Sequence, residues 1–533
     1  MKKVKEALKD KKLYFFFIIA LLFFGMFAKM DYATDTYAVI GNDKSEILEN
    51  FLQSGRFITA FFFVIFKMIN IKISIVYVLS FSLSVISISM AMYIIDKILI
   101  REKANPVLAG VASVLLIINP FSIEEMMYIE KGIMTLAILL TIFAVKYFVD
   151  YMEDNKKASI VKSMAFMLFS VMCYQGVVGL FIIISVIFTI LKSKNLKEFI
   201  KNTFIMLMIY GIPAFIDLIL IKAFSSTSRV SGKIDIAESS KKIVDGSKKM
   251  IQAYQILPTN TFIFFNVLVA ILIVISSIKD KKTDKKSIFK TIVSLIYIIL
   301  VDYAFAILPQ AMQKTDSIWF VARSTYPFAS MLGAIITYEA LKRSSAGNAI
   351  NCNNENNNIK NSSIESNNIE NRNIENSDIE NDKKQVRASH EKMNKILTTI
   401  GIVFLGIQLV RFYEVEISHY TVNYLDKEIS KSVGQEIIKY ENETGIKVTK
   451  ISVYEDKNPR YSYNDLFVVG DINITAFATE WSDANAINYY NKLELKKVEN
   501  DENIKKKFES VDYTSFSKEQ IIIKDDTVHL CVF

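Results

Sequence analysis

The feature that most limits what this chain can fold into is a series of long apolar blocks, such as 13–28, 73–95 and 261–278, separated by short lysine-rich segments. A helix rises about 1.5 Å per residue, so about 20 apolar residues cover a hydrocarbon core of roughly 30 Å. Phenylalanine is abundant (38) and proline scarce (7), which suits uninterrupted helices. The expected fold class is therefore mainly α, a polytopic transmembrane helix bundle of about 11 spans, followed by a small C-terminal α/β domain. The net charge of +8 does not point to nucleic acid, because the lysines lie between apolar blocks, where they set topology and meet anionic lipid. Cys173, Cys352 and Cys531 are far apart and show no metal-ligand spacing.

The expected spans are 13–30, 73–95, 105–119, 132–150, 160–174, 176–191, 203–221, 259–278, 288–308, 327–341 and 394–412. Phe57–Ile69 is short and interrupted by Lys67, so it is read as lying in or re-entering the outer interface. With that assignment and an uncleaved N-terminal anchor, Met1–Lys12, Asp96–Lys103, Asp150–Lys162, Lys192–Lys201, Lys279–Lys286 and the stretch from Lys342 all face the cytoplasm, as the positive-inside rule expects. Lys222–Pro258 falls outside yet is basic, and its Lys241–Tyr254 part reads as an amphipathic surface helix. The domain reading is a transmembrane core over 1–342, a disordered Asn-rich cytoplasmic linker over 343–393, a final span at 394–412 and an extracytoplasmic α/β domain over 413–533. In that last domain Glu416–Tyr440 has helical spacing, and Lys447–Tyr454, Leu466–Val469, Ile521–Ile523 and Val528–Phe533 look like strands.

This topology gathers polar residues on the outer face. The first outer loop opens with Met30-Asp31-Tyr32-Ala33-Thr34-Asp35 and closes with Ser54-Gly55-Arg56. The second holds Asn119-Pro120-Phe121, Glu124, Glu125, Tyr128 and Lys131, the third is Tyr174-Gln175-Gly176, and the last carries Trp319 and Arg323. If the first span continues as a helix, Asp31 and Asp35 share a face, and either carboxylate could take a proton from an acceptor hydroxyl. The alternative is a pair of interfacial aspartates, with Asp35 capping the next helix. Arg56 and Arg323 offer fixed positive charge to a lipid phosphate, with Lys131 nearby, or they snorkel. Glu124, Glu125, Tyr128, Tyr174 and Gln175 are candidates to hold substrate; Glu124 and Glu125 could equally pair with Lys131, and Tyr174-Gln175 could be a plain polar turn.

Taken together, Asp35 after the first span, Gly55-Arg56, Asn119-Pro120-Phe121 leading into Glu124 and Tyr128, Tyr174-Gln175 and Arg323 resemble the bacterial glucosyl transferase Gtr type II family of the GT-C class. The resemblance runs from Asp31 to Arg323 and extends loosely to 411–433. It implies a membrane glycosyltransferase in a bacterial plasma membrane, using a polyprenyl-phosphate sugar, often glucose, and glycosylating a cell-surface glycan. It also implies a catalytic first-loop acid, carried first to Asp35 and second to Asp31. The sequence departs from the family in spacing these acids four apart and in having Ile129 where a charged residue is usual, which leaves a divalent metal as an open question. The competing functions are a flippase or transporter of lipid-linked glycans, for which Asp217 and Asp302 are the intramembrane candidates, a polysaccharide polymerase, and a membrane anchor for the C-terminal domain.

Overall fold

The computed structural model describes residues 10–225, 235–279, 285–344, 369–454, 466–511, 513 and 516–532. Its helices are α1 Lys11–Phe24, α2 Thr34–Gly41, α3 Lys44–Leu52, α4 Phe57–Met68, α5 Ile73–Arg101, α6 Pro106–Ile117, α7 Lys131–Asp154, α8 Lys157–Cys173 and α9 Gly179–Lys192. They continue with α10 Leu196–Phe224, α11 Ile236–Ile251, α12 Thr261–Lys279, α13 Lys285–Ala311, α14 over 331–344, α15 Ile369–Thr444, α16 Asp483–Asn491 and α17 Glu502–Glu509. Among the described residues, eight helical stretches are long and apolar enough to cross a membrane; they contain α1, α5, α7, α9, α10, α12, α13 and α15.

Three of the expected spans are shorter than a membrane crossing. Helix α6 has 12 residues and α8 has 17, and α14 begins only at residue 331. Each stops where the chain unwinds into polar turns, and these turns meet one another. Asn119 Nδ2 donates to Ser330 Oγ at 2.9 Å, Ser330 Oγ donates to the Leu116 carbonyl at 2.8 Å, and Tyr326 Oη donates to the Ile117 carbonyl at 2.5 Å. Non-helical backbone at this depth is tolerated when protein groups satisfy it, as they do here. A hydropathy reading extends each block through its unwound end and so counts it as a span.

Helix α4 has 12 residues, about 18 Å of helix, in keeping with the expectation that it does not cross. Lys67, which breaks its apolar pattern, donates to the Ile40 and Asn42 carbonyls at 2.9 and 3.0 Å, placing its charge at the C-terminal end of α2. The expected continuous helix from span one to Asp35 does not form: α1 passes into a 3-10 turn, Gly25–Ala28, then into extended backbone, and α2 begins at Thr34 with Ala33 as its N-cap. Asp31 and Asp35 therefore do not share a helical face, and Asp35 is not a cap. The basic helix expected at Lys241–Tyr254 is α11, whose buried Ser239, Gly246, Ser247 and Met250 face the bundle.

The basic segments assigned to one side of the membrane converge at one end of the bundle. Lys12 pairs with Asp96 at 2.9 Å, Arg101 with Asp150 at 2.6 Å, Lys192 with Glu153 at 2.9 Å, and Lys342 donates to Ser277 at 2.8 Å. The other end carries the C-terminal unit. Residues 345–368 of the expected linker lie outside the described residues, and α15 begins at Ile369, so the rest of that stretch is helical, consistent with cooperative propagation from the apolar segment. Helix α15 also runs past Phe412 without a break, as the spacing of Glu416–Tyr440 suggested. It packs Ile429, Val433 and Ile437 against a four-stranded sheet of β1 Lys450–Tyr454, β2 Lys496–Lys497, β3 Ile521–Lys524 and β4 Thr527–Cys531, ordered β2-β1-β4-β3. Strand β1 is parallel to β2 and β4, and β3 and β4 form an antiparallel hairpin. Three of the four expected strands are present; 466–469 forms only an isolated bridge between Val469 and Ile472.

This unit is tied to α15 and to the first loop. Tyr32 Oη and Tyr37 Oη meet Tyr489 Oη and Tyr490 Oη at 3.2 and 2.9 Å, and the Tyr32 N–H donates to Asn423 Oδ1 at 2.6 Å. The buried Asp426 carboxylate accepts from Thr475 Oγ1 at 2.6 Å and from the Ala476 N–H at 2.8 Å. Asp426→Ala strands those donors, and hydrogen bonds to a charged group contribute about 1.5–3 kcal/mol each. We expect trypsin to remove the C-terminal unit of this variant faster than that of the wild type while the helical bundle stays intact; equal cleavage rates would show that the contact does not hold the unit in place.

Candidate active site

Arg323 sits in the 3-10 turn Ala322–Thr325, and its side chain is 13 % exposed. Gly176 makes room for this turn, because a Cβ there would lie 2.5 Å from the Arg323 carbonyl oxygen. Glu124, in the one-turn helix Ser122–Glu125, grips Arg323 twice: Oε1 accepts from Nη1 at 2.7 Å, and Oε2 accepts from the Arg323 backbone N–H at 2.9 Å. The guanidinium lies 4.0 Å over the Tyr128 ring, and Nη1 also donates to Tyr128 Oη. Its Nη2 edge faces two further acids, Asp471 Oδ2 at 3.1 Å and Asp35 Oδ2 at 3.8 Å. Asp471 also accepts from Trp319 Nε1 at 3.2 Å.

Arg56 is the second guanidinium. It stacks 4.7 Å over Tyr174 and lies 3.6 Å from Glu130 Oε1. Both arginines line one cavity of about 190 Å³. Its polar lining includes Gln53, Tyr174, Gln175, Asp217 and Gln310, and its apolar wall comes from α10 and α13 through Tyr210, Leu218, Ile221, Pro309 and Met312. A second cavity, of about 110 Å³, lies against Glu124 and Asp471 and is lined by Lys249 and Gln252. It gives one reason for a basic segment in 222–258.

Two guanidiniums thus face five carboxyl groups, Asp35, Glu124, Glu125, Glu130 and Asp471. Glu125 is buried, and neither of its carboxylate oxygens has a hydrogen-bond partner among the described residues. Burial, reinforced by Glu124, pushes its carboxyl well above the usual range. Burial likewise raises Glu130 to about 7, against the pull of Arg56.

Not every expected site residue is here. Lys131 is fully buried beside α5, its Nζ 3.8 Å over the Tyr77 ring, and it lines neither cavity. Asp31 lies in the extended stretch after α1, where Lys29 and Lys131 are its charged neighbours, and it also lines neither cavity. A phosphate-binding Lys131 and an Asp31 acting at Arg323 therefore do not fit this arrangement, because the unwinding after Ala28 turns both away from the arginines. Among the described residues no group of three or more His, Cys, Asp or Glu side chains is arranged to hold a metal ion. The acids nearest Arg323 are engaged by its guanidinium, so the site does not fit a resident divalent cation.

A sequence profile described as Glucosyl transferase GtrII matches residues 23–334, more than half of the chain. The chain belongs to the GtrII glucosyl transferase family. A comparison with curated proteins gave no significant match. The GtrII match takes in Asp35, Arg56, Glu124, Tyr128, Tyr174, Gln175 and Arg323, whereas Asp471 lies beyond it. Asp471 was missed because the C-terminal segment shows no catalytic motif. The one signal is Gly470-Asp471 after an apolar run, and Gly470 takes a φ of +60° there, a turn conformation.

The raised Glu130 carboxyl has a consequence for stability. The folded state keeps its proton up to about pH 7, while a carboxyl at its ordinary value of 4.5 loses it earlier. Between those values the folded state binds more protons, so this group's contribution is greatest below 4.5 and is lost as pH rises to about 7. Glu130→Gln should therefore narrow the loss of thermal stability between about pH 5 and about pH 8 in detergent-solubilised protein. An unchanged loss would mean that Glu130 is ionised throughout.

Proposed function

We propose that this GtrII protein moves a hexose, glucose on the family's name, from a polyprenyl-phosphate carrier to a cell-surface glycan on the extracytoplasmic face of a bacterial plasma membrane. The observation that carries this reading is the shared cavity, in which Arg56 and Arg323 sit against an apolar wall formed by two membrane-length helices. That combination suits a ligand with an anionic head and a hydrocarbon tail. The sidedness rests on the basic segments at the opposite end of the bundle.

In this reading Arg323 and Arg56 hold the donor phosphate, and Glu124 and Tyr128 hold Arg323. Asp35, whose side chain is 39 % exposed, is the base. It takes the proton of an acceptor hydroxyl as that oxygen attacks the anomeric carbon. The bond from that carbon to the phosphate oxygen breaks, and the electron pair leaves on polyprenyl phosphate, where the guanidiniums stabilise it. Asp35 and Asp471 both lie at the Nη2 edge of Arg323, so an arriving phosphate competes with them there and frees Asp35 for the hydroxyl.

Asp35→Asn keeps the shape of the base and removes its basicity, so we expect turnover to fall by about 10²–10⁴-fold. Arg323→Ala should weaken use of the donor, and Arg323→Lys should restore only part of it, because a point charge does not reproduce a planar fork. Transfer from polyprenyl-phosphate glucose in sealed right-side-out vesicles, with acceptor supplied only from outside, measures both chemistry and sidedness. Wild-type rates for Asp35→Asn would remove Asp35 as the base. Glucosylation only when the acceptor is inside would reverse the topology. Release of intact lipid-linked sugar to the other leaflet without transfer would favour a flippase, for which the deeply buried Asp302 is the supporting observation.

A further inference from the structure

Asp217, in α10, lines the arginine cavity and is 3 % exposed. Its Oδ2 accepts from Gln175 Nε2 at 3.1 Å. Its Oδ1 has no partner among the described residues. A buried carboxylate oxygen without a donor is costly, and an ionisable group within an apolar span marks a functional position. The surroundings hold the pair in place. Gly55 has a φ of +71°, and a Cβ there would lie 2.5 Å from both Asp217 Oδ2 and Gln175 Nε2. The backbone that carries Arg56 is therefore pressed directly against this pair.

A carboxylate is an acceptor only, so what completes Oδ1 must bring an O–H or N–H. A phosphate dianion does not, and a carboxylate repels it. The group that brings hydroxyls into a cavity holding a lipid phosphate is the sugar attached to that phosphate. We propose that Asp217 and Gln175 form the subsite for the hydroxyl groups of the donor hexose, an inference that rests on the donor reading above. Asp217 Oδ1 takes one hydroxyl and the Gln175 amide a second, while the aromatic faces of Tyr210 and Trp319, which line the same cavity, meet the sugar's C–H surfaces. Asp217 then serves sugar selection and not phosphate binding.

The test compares two lipids on the full chain in nanodiscs, polyprenyl-phosphate glucose and polyprenyl phosphate without sugar. Asp217→Asn keeps an oxygen for Gln175 and replaces the acceptor of the second hydroxyl. We expect it to weaken binding of the sugar-bearing lipid by about 10- to 100-fold, as loss of a hydrogen bond to a charged group does, and to leave bare polyprenyl phosphate unchanged. Gln175→Ala should show the same selectivity with a smaller loss. Equal losses for both lipids, or no loss for either, would overturn the sugar subsite while leaving the donor reading in place. A wild-type protein that binds neither lipid would overturn both.

Discussion

A guanidinium buried among membrane-length helices is the constraint on which the rest of this structure depends. Arg323 is held by Glu124 on one edge, Tyr128 beneath it, and Asp471 and Asp35 on the other edge. Removing one partner of such a buried pair leaves an uncompensated charge, typically at about 3–5 kcal/mol, which is why the pair fixes the relative positions of the segments that supply it. Those segments are α2, the one-turn helix after α6, the turn before α14 and the 469–472 turn of the C-terminal unit. They are far apart in sequence and meet at this one side chain.

The same constraint explains the truncated helices. Arg323, Glu124 and Gln175 all lie where a helix has unwound, and the freed backbone groups there are taken up by Asn119, Ser330 and Tyr326. Glycine permits the closest approaches: Gly55 brings the Arg56 loop against Asp217, and Gly176 passes under the Arg323 turn. The excess of acid over base is accommodated by burial, which keeps Glu125 and Glu130 protonated to higher pH than ordinary carboxyl groups. The site is thus rigid on its Glu124 side and exchangeable on its Asp35 and Asp471 side, the arrangement that an arriving anion needs.

Much of this was legible in the residues. The apolar blocks and basic gaps placed the bundle ends, and the family resemblance picked out Asp35, Arg56, Glu124, Tyr128, Tyr174, Gln175 and Arg323, which the structure gathers around two cavities. The misreadings have a common physical origin. Hydropathy does not register where a helix unwinds, so the break after Ala28 was read through, and Asp31 and Lys131 were assigned to a site that the chain turns away from. It also counted α6, α8 and α14 as full spans. Asp471 was invisible because its role comes from docking: Asp426, Tyr489 and Tyr490 seat the C-terminal unit on the bundle, and no local motif records that.

The most direct test of the account is a cryo-electron microscopy map of the full chain in nanodiscs with a non-transferable polyprenyl-phosphate glucose analogue, its bridging oxygen replaced by carbon. The account places the phosphate density between the guanidiniums of Arg56 and Arg323, the hydrocarbon tail along α10 and α13, and Asp471 moved off the Nη2 edge of Arg323. Density for the headgroup at the opposite, lysine-rich end of the bundle, or a bound analogue with the Arg323–Asp471 pair undisturbed, would contradict it.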